Sequence, residues 1–253
     1  MIVSLVIPVY NEEKIIADTI IAVKNFMEKN FNSEKSDLDY EVIFVNDGSR
    51  DNTLKIAEAL ADEKIRVLRH SVNKGKGGAV RTGMLDAIGD IVFYTDCDLA
   101  YGLDVLVEAC EIFKQNKAAD ALIGSRKLHK EGYESYNFMR KLASVVFLKL
   151  LRIYGGIKFS DSQSGFKGFR KDVCKKIFSV CETDGWAFDV EVLLIAQKLN
   201  LKIIEMPVKI INHGSSKISL KKDSVKMLKD IAHIKKSVKN RFGEADKDDK
   251  THI

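Results

Sequence analysis

Four short apolar runs limit what this chain can fold into. Ile2-Val3-Ser4-Leu5-Val6-Ile7, Tyr40-Glu41-Val42-Ile43-Phe44-Val45, Ile65-Arg66-Val67-Leu68 and Ile91-Val92-Phe93-Tyr94 are dominated by β-branched and aromatic residues. Strands covered on both faces require this composition. Segments of helical period lie between them: residues 12–28 with Ile15, Ile16, Ile20, Val23 and Phe26, a helix opening at Asp51 with Ile56, Ala57 and Leu60, and one over residues 79–88. Asn11 is placed to cap the first helix, with Glu12 and Glu13 at the positive end of its dipole. Such regular alternation predicts an α/β fold with a mostly parallel sheet and helices on both faces.

Each run stops at a polar loop, at 8–13, 46–51, 73–78 and 96–98. In a parallel sheet these loops converge on the carboxyl edge, where ligands bind. The edge would then hold a ring and carboxylates (Tyr10, Glu12, Asp47), a basic glycine-rich loop from Lys74 and Gly75 to Gly78, Arg81, and the pair Asp96 and Asp98. Two Asp at a strand exit form a hard-oxygen site suited to Mg²⁺ or Mn²⁺, which take remaining ligands from water and phosphates. An isolated Asp-x-Asp is also an ordinary polar strand exit, so its neighbours give it weight. Together they describe a site for a nucleotide diphosphate with its divalent ion. The loop lacks the G-x-x-x-x-G-K-[ST] pattern of phosphate-binding ATPases, and no G-x-G-x-x-G follows the first strand, which disfavours both of those classes.

With 253 residues, 45% of them hydrophobic and 30% charged, the chain is sized for one large soluble domain. Its net charge of +5 points to an anionic partner, but no nucleic-acid-binding motif is present. The sequence enters a strand pattern at once, so no signal peptide is expected, and no apolar run approaches the ~18–20 residues that span a bilayer. Cys110, Cys174 and Cys181 read as buried reduced thiols, and Cys97, between the two Asp, as the exposed exception.

Val6-Ile7-Pro8-Val9-Tyr10-Asn11-Glu12-Glu13, Val45-Asn46-Asp47-Gly48-Ser49, Asn73-Lys74-Gly75-Lys76-Gly77 and Asp96-Cys97-Asp98 resemble the successive signatures of family 2 nucleotide-sugar glycosyltransferases of GT-A (Rossmann-like) fold. Gly124-Ser125-Arg126, Asp161-Ser162-Gln163-Ser164-Gly165-Phe166-Lys167 and Trp186-Ala187-Phe188-Asp189-Val190-Glu191 narrow this to the polyprenyl-phosphate branch, nearest the dolichyl-phosphate β-glucosyltransferases. The resemblance covers residues 2 to 220. It implies that Pro8, Tyr10, Glu12 and Asp47 hold the nucleoside, and that Asp96 and Asp98 meet ribose and metal-bound diphosphate. Some relatives carry a metal-ligating Gln two residues past the second Asp. Ala100 stands there, leaving that position to water or another side chain.

Beyond residue 103 the reading continues with a helix over 103–117 and a strand at 121–123 that delivers Arg126. Residues 127–135 read as a loop, 136–154 as a basic, broadly apolar helix carrying Arg140 and Ser144, and 159–169 as a strand carrying Gln163. A helix from Ala187 bears Asp189, and 201–208 forms a last strand. The helix 215–242 is basic and amphipathic, either packed or lying on a membrane surface. The expected division is a glycosyltransferase domain over 1–214, that helix, and a disordered tail over 243–253.

The expected reaction is inverting transfer of a sugar, glucose first, from a UDP-sugar donor to a polyprenyl phosphate. It would take place on the cytoplasmic face of a membrane with the protein bound peripherally. Asp98, Asp161, Asp189, Arg126 and Arg140 are the catalytic candidates. Arg126, Arg140 and Ser144 would hold the acceptor phosphate, Lys74, Gly75, Arg81, Asp96 and Gln163 the donor, and Asp96 and Asp98 the metal. An ionised phosphate needs no strong base, so Asp161 and Asp189 could orient Arg or sugar hydroxyls, or serve structure alone. Trp186 and Gln163 could line the sugar pocket. Transfer to a polysaccharide or other hydroxyl is the alternative, as are a non-catalytic binder and a nucleotidyltransferase. The last would want a basic glycine-rich signature directly after the first strand, where Pro8-Val9-Tyr10-Asn11-Glu12 stands.

Overall fold

The computed structural model describes residues 1–31, 37–132, 156–212 and 220–243, with backbone alone for 220–229. The elements are β1 (Ile2–Val9), α1 (Ile16–Asn30), β2 (Asp39–Asn46), α2 (Thr53–Leu60), β3 (Ile65–Arg69), α3 (Lys76–Asp86), β4 (Ile91–Tyr94), α4 (Asp104–Gln115) and β5 (Ala121–Ser125). After them come β6 (Lys167–Arg170), α5 (Lys171–Phe178), α6 (Phe188–Lys198), β7 (Ile203–Pro207) and α7 (Leu220–Phe242). Seven strands form one sheet in the order β3-β2-β1-β4-β6-β5-β7. β1 to β4 run parallel, whereas β6 enters antiparallel between β4 and β5.

Alternate side chains of the central strands enter two separate cores. Val3, Leu5, Ile7 and Val9 of β1, with Val42 and Phe44 of β2, pack beneath Ile16, Ile20, Val23 and Met27 of α1 and Phe113 of α4. Val6, Ile43, Val45, Val92 and Tyr94 face the other way, toward α3, α5 and α6. Burial on both faces is why these strands read as unbroken apolar runs. α6 is enclosed along nearly its whole length, because α7 covers its outer side with Ile231, Ile234 and Val238.

Several expected boundaries move. α1 begins at Ile16 because Asn11 lies at φ +52° and its Oδ1 accepts from Arg50 N. The N–H groups of Glu12 and Glu13 are taken by Thr53 Oγ1 and Asp51 Oδ2, so Asn11 is a loop clamp rather than a cap. α2 starts at Thr53 and α3 at Lys76. The strand expected over 159–169 is confined to Lys167–Arg170. Upstream, Glu205 and Asp161 accept from the N–H of Ser160 and Gln163, so side chains replace a sheet ladder. Cys97 is buried like the other three cysteines, and burial pushes its thiol up to about 12. The expected helix 136–154 and the tail beyond Gly243 lie outside the described residues. No described helix is long and apolar enough to cross a membrane.

At the amino end of the sheet, Glu41 is buried among donors: Ser4 Oγ at 2.5 Å, Ile88 N at 2.7 Å and Arg66 at 2.8 Å. Burial alone would raise its carboxyl, but these hydrogen bonds outweigh it and hold the group below its usual range. Glu41→Gln should therefore lower the unfolding free energy by about 1–3 kcal/mol at pH 7. A lowered folded pKa stabilises above the unfolded value, so the deficit should shrink as pH falls below about 4. Urea melts at pH 7 and pH 3.5 measure it, and activity should persist because Glu41 lies at the edge opposite the candidate site.

Candidate active site

Four loops leave the carboxyl ends of β1, β2, β3 and β4 at one edge and are tied to one another. Asn11 N donates to Ser49 Oγ at 2.9 Å, joining the first two. Asp47, 2% exposed, joins the second to the third. Its Oδ1 accepts from His70 Nδ1 at 2.7 Å and from Lys74 N at 2.9 Å, and its Oδ2 accepts from Gly75 N at 2.8 Å. Each carboxylate oxygen can take two donors, so Oδ2 keeps one acceptor direction for a ligand. The His70 ring is buried here, its Nε2 meeting Thr82 Oγ1 at 2.9 Å, at a place the sequence did not mark.

The third loop joins the fourth through Lys76, whose ammonium forms an ion pair with Asp96 and lies 5.3 Å from the centre of the Trp186 ring. Lys76 sits within the quoted glycine-rich motif, yet sequence reasoning passed over it in favour of Lys74 and Arg81. Arg81 is instead engaged by Asp184 at 2.6 Å and by the Cys181 carbonyl at 3.1 Å. Gly165 is forced by proximity: a Cβ there would stand 2.2 Å from Asp96 Oδ2.

Asp98 accepts from Ala100 N at 3.2 Å. Burial raises its carboxyl, with the charges of Asp96 and Glu12 adding to the effect and Lys76 opposing it. Among the described residues no ion pair is formed by Asp98, and the one hydrogen bond to its carboxylate comes from the Ala100 backbone. A divalent ion would supply the missing charge, and Lys76 already marks the cationic position at Asp96. The two Asp therefore fit Mg²⁺ or Mn²⁺. Among the described residues no group of three His, Cys, Asp or Glu side chains forms around this pair.

Asp161 is fully committed to other partners, and Asp189 is engaged through one of its two oxygens. Asp161, completely buried, holds Arg126 by a fork: Nε to Oδ2 at 2.7 Å and Nη2 to Oδ1 at 2.8 Å. The N–H groups of Arg126 and Gln163 occupy the remaining directions at 3.1 and 3.2 Å. Burial would raise this carboxyl, but Arg126 outweighs it and keeps the group ionised. Asp189 Oδ1 accepts from Tyr94 Oη and Lys167 Nζ, each at 2.5 Å. Lys167 is wholly buried, and burial outweighs Asp189 in lowering its pKa. A lysine entering the buried strand β6 directly after Gly165-Phe166 was the available signal for that ion pair. Gln163 lies in the turn capped by Asp161, Trp186 is 51% exposed, and Arg140 and Ser144 lie outside the described residues.

Residues 4–178 match the model of glycosyl transferase family 2. The chain belongs to that family. It is 34% identical to a dolichyl-phosphate beta-glucosyltransferase of Saccharomyces cerevisiae over 92% of this chain and 73% of the relative. A dolichyl-phosphate beta-glucosyltransferase of Trichomonas vaginalis is 34% identical over 91% and 70%. Among solved structures, mannosyl-3-phosphoglycerate synthase from Rubrobacter xylanophilus superposes with TM-score 0.64 at 17% identity, covering 100% of this chain and 78% of that one. Glucosyl-3-phosphoglycerate synthase from Mycobacterium tuberculosis, in complex with Mn²⁺, UDP-glucose and phosphoglyceric acid, gives 0.63 at 18%, covering 95% and 79%. The expected GT-A architecture is thus the fold of this family 2 glycosyltransferase.

Asp98→Ala should leave the far-ultraviolet circular dichroism unchanged and lower turnover by at least about a hundredfold, since it removes a carboxylate that would hold the divalent ion offsetting leaving-group charge. Appreciable activity in that variant with excess chelator would count against metal use at this pair.

Proposed function

We propose that the enzyme moves glucose from UDP-glucose to a dolichyl or related polyprenyl phosphate, with inversion at the anomeric carbon. The observation that carries this reading is the state of the two inner carboxylates. Asp161 has all four acceptor directions filled, and Asp189 is tied into a buried ion pair. Neither is placed as the free base that a hydroxyl acceptor demands, whereas a phosphate monoester is ionised at neutral pH and attacks without one. The names of the curated relatives support the same acceptor and sugar.

In the reaction an acceptor phosphate oxygen bonds to the anomeric carbon from the face opposite the departing UDP, and the bond from that carbon to the diphosphate oxygen breaks. Asp161 aims the Arg126 guanidinium for forked recognition of the acceptor phosphate. Asp47 offers its remaining acceptor direction to the imide N–H of uracil, and Tyr10, Glu12 and Pro8 border the nucleoside. Lys76 is placed to meet the diphosphate once the donor displaces it from Asp96. Asp96 and Asp98 would hold Mg²⁺ or Mn²⁺, which when bound supplies Lewis-acid stabilisation of the leaving group. Arg140 and Ser144 remain proposed contacts of the acceptor phosphate.

A polyprenyl acceptor is confined to a bilayer, so the enzyme must work at its surface. Ile231, Ile234 and Val238 of α7 turn inward, leaving Lys235, Lys236 and Lys239 exposed. This half of the helix therefore offers a membrane positive charge rather than apolar insertion, at about 1 kcal/mol per residue on an anionic surface.

Incubation with Mn²⁺, a panel of nucleotide sugars and a short polyprenyl phosphate should yield glucosyl phosphoprenol from UDP-glucose. Glucosylation of a hydroxyl acceptor alone, detected by mass, would move the enzyme to the alternative class. Arg126→Lys should raise the KM for the prenyl phosphate about tenfold with little change in that for UDP-glucose, because the fork is lost and the charge kept. The protein should sediment with anionic vesicles at low salt and be released at high salt.

A further inference from the structure

The glycine-rich loop meets a second segment, residues 182–186, of which Trp186 alone falls in a quoted signature. Gly78 N donates to the Asp184 carbonyl at 3.2 Å. Asp184 also holds Arg81, and Trp186 lies against Lys76. Contact is so close at Gly77 that a Cβ would stand 2.4 Å from the Thr183 carbonyl oxygen. The segment is in turn hung from one buried carboxylate. Glu191 of α6, 1% exposed, accepts from Glu182 N at 3.0 Å and from Thr183 N at 2.7 Å. Its remaining partner comes from the far end of the chain: Arg241 Nη2 of α7 donates to Glu191 Oε1 at 2.5 Å, and Nη1 donates to the Val180 carbonyl. Ser237, one turn earlier, donates to Glu182 at 3.1 Å.

We propose that Arg241 is a positioning residue for the donor site, acting through Glu191 to fix the 182–186 segment beneath the Lys76–Asp96 pair. The proposal rests on the reading of this edge as the nucleotide-sugar site. The physical reason is the cost of an unpaired buried charge. The Glu191 carboxylate accepts from two backbone N–H groups and one guanidinium, and loss of the latter leaves it under-compensated in a dry setting. The carboxylate then draws in water or shifts, and the two N–H groups hung from it shift with it. Asp184 and Trp186 follow, and the seat of Lys76 loosens. α7 is in this way a clamp on the donor side of the site, although Arg241 touches neither substrate nor metal.

Trp186 is the single tryptophan of the chain, so its fluorescence reports the segment directly. In Arg241→Ala of the full chain, acrylamide quenching of Trp186 should rise about twofold and the KM for UDP-glucose about tenfold, with the KM for a short prenyl phosphate unchanged. Arg241→Lys should fall between, and Asn240→Ala, exposed beside it, should match the wild type. If Arg241→Ala does not fold, Arg241→Lys and Glu191→Gln are read in the same way. A lower melting temperature with unaltered quenching, unaltered KM and unaltered UDP–Mn²⁺ affinity by calorimetry would overturn the role of Arg241. Failure of the wild type to transfer glucose would instead overturn the assigned reaction, since quenching and UDP affinity are measured without turnover.

Discussion

Like charges gathered at the ends of buried strands repel, and the architecture of this enzyme follows from how each one is compensated. Asp47 is met by His70 and two backbone N–H groups, Asp96 by Lys76, Asp161 by Arg126, Asp189 by Lys167 and Glu191 by Arg241. Asp98 stands apart with one backbone donor and a carboxyl raised by burial. Asp98 presents that deficit to whatever cation arrives with the donor. Pairing also lowers the cost of reorganisation at reaction, because the groups are already held in place.

In the proposed reaction the same pairings divide labour between the two substrates. The loops after β1, β2 and β3, knitted by Asp47, would build the nucleotide side. The turn before β6 and the exit of β5, joined by Asp161 and Arg126, would build the acceptor side. β6 makes this possible by entering antiparallel between β4 and β5, which brings residues 161–165 back beside Asp96. Replacing the shared ion pairs would disturb geometry first, since each removes a partner from a buried charge. The transfer itself needs little acid–base chemistry, so positioning is the larger part of the protein's task.

What the sequence by itself determined is local. Unbroken apolar runs, helical spacing and polar punctuation place four loops at one edge, and they identify Asp96 and Asp98 as the pair at its centre. The family signatures carried the reaction class, because each is a short contiguous motif. The limits of α1 and β6 escaped, since side chains from distant loops capture the backbone groups that a helix or a sheet would have used. Tertiary structure alone decided which charge meets which. Arg126 finds Asp161 35 residues away, Arg81 finds Asp184 across 103, and Arg241 finds Glu191 across 50. Those partners are chosen by where the sheet order and the packing of α7 set the backbone, and the low dielectric of the interior makes each choice binding.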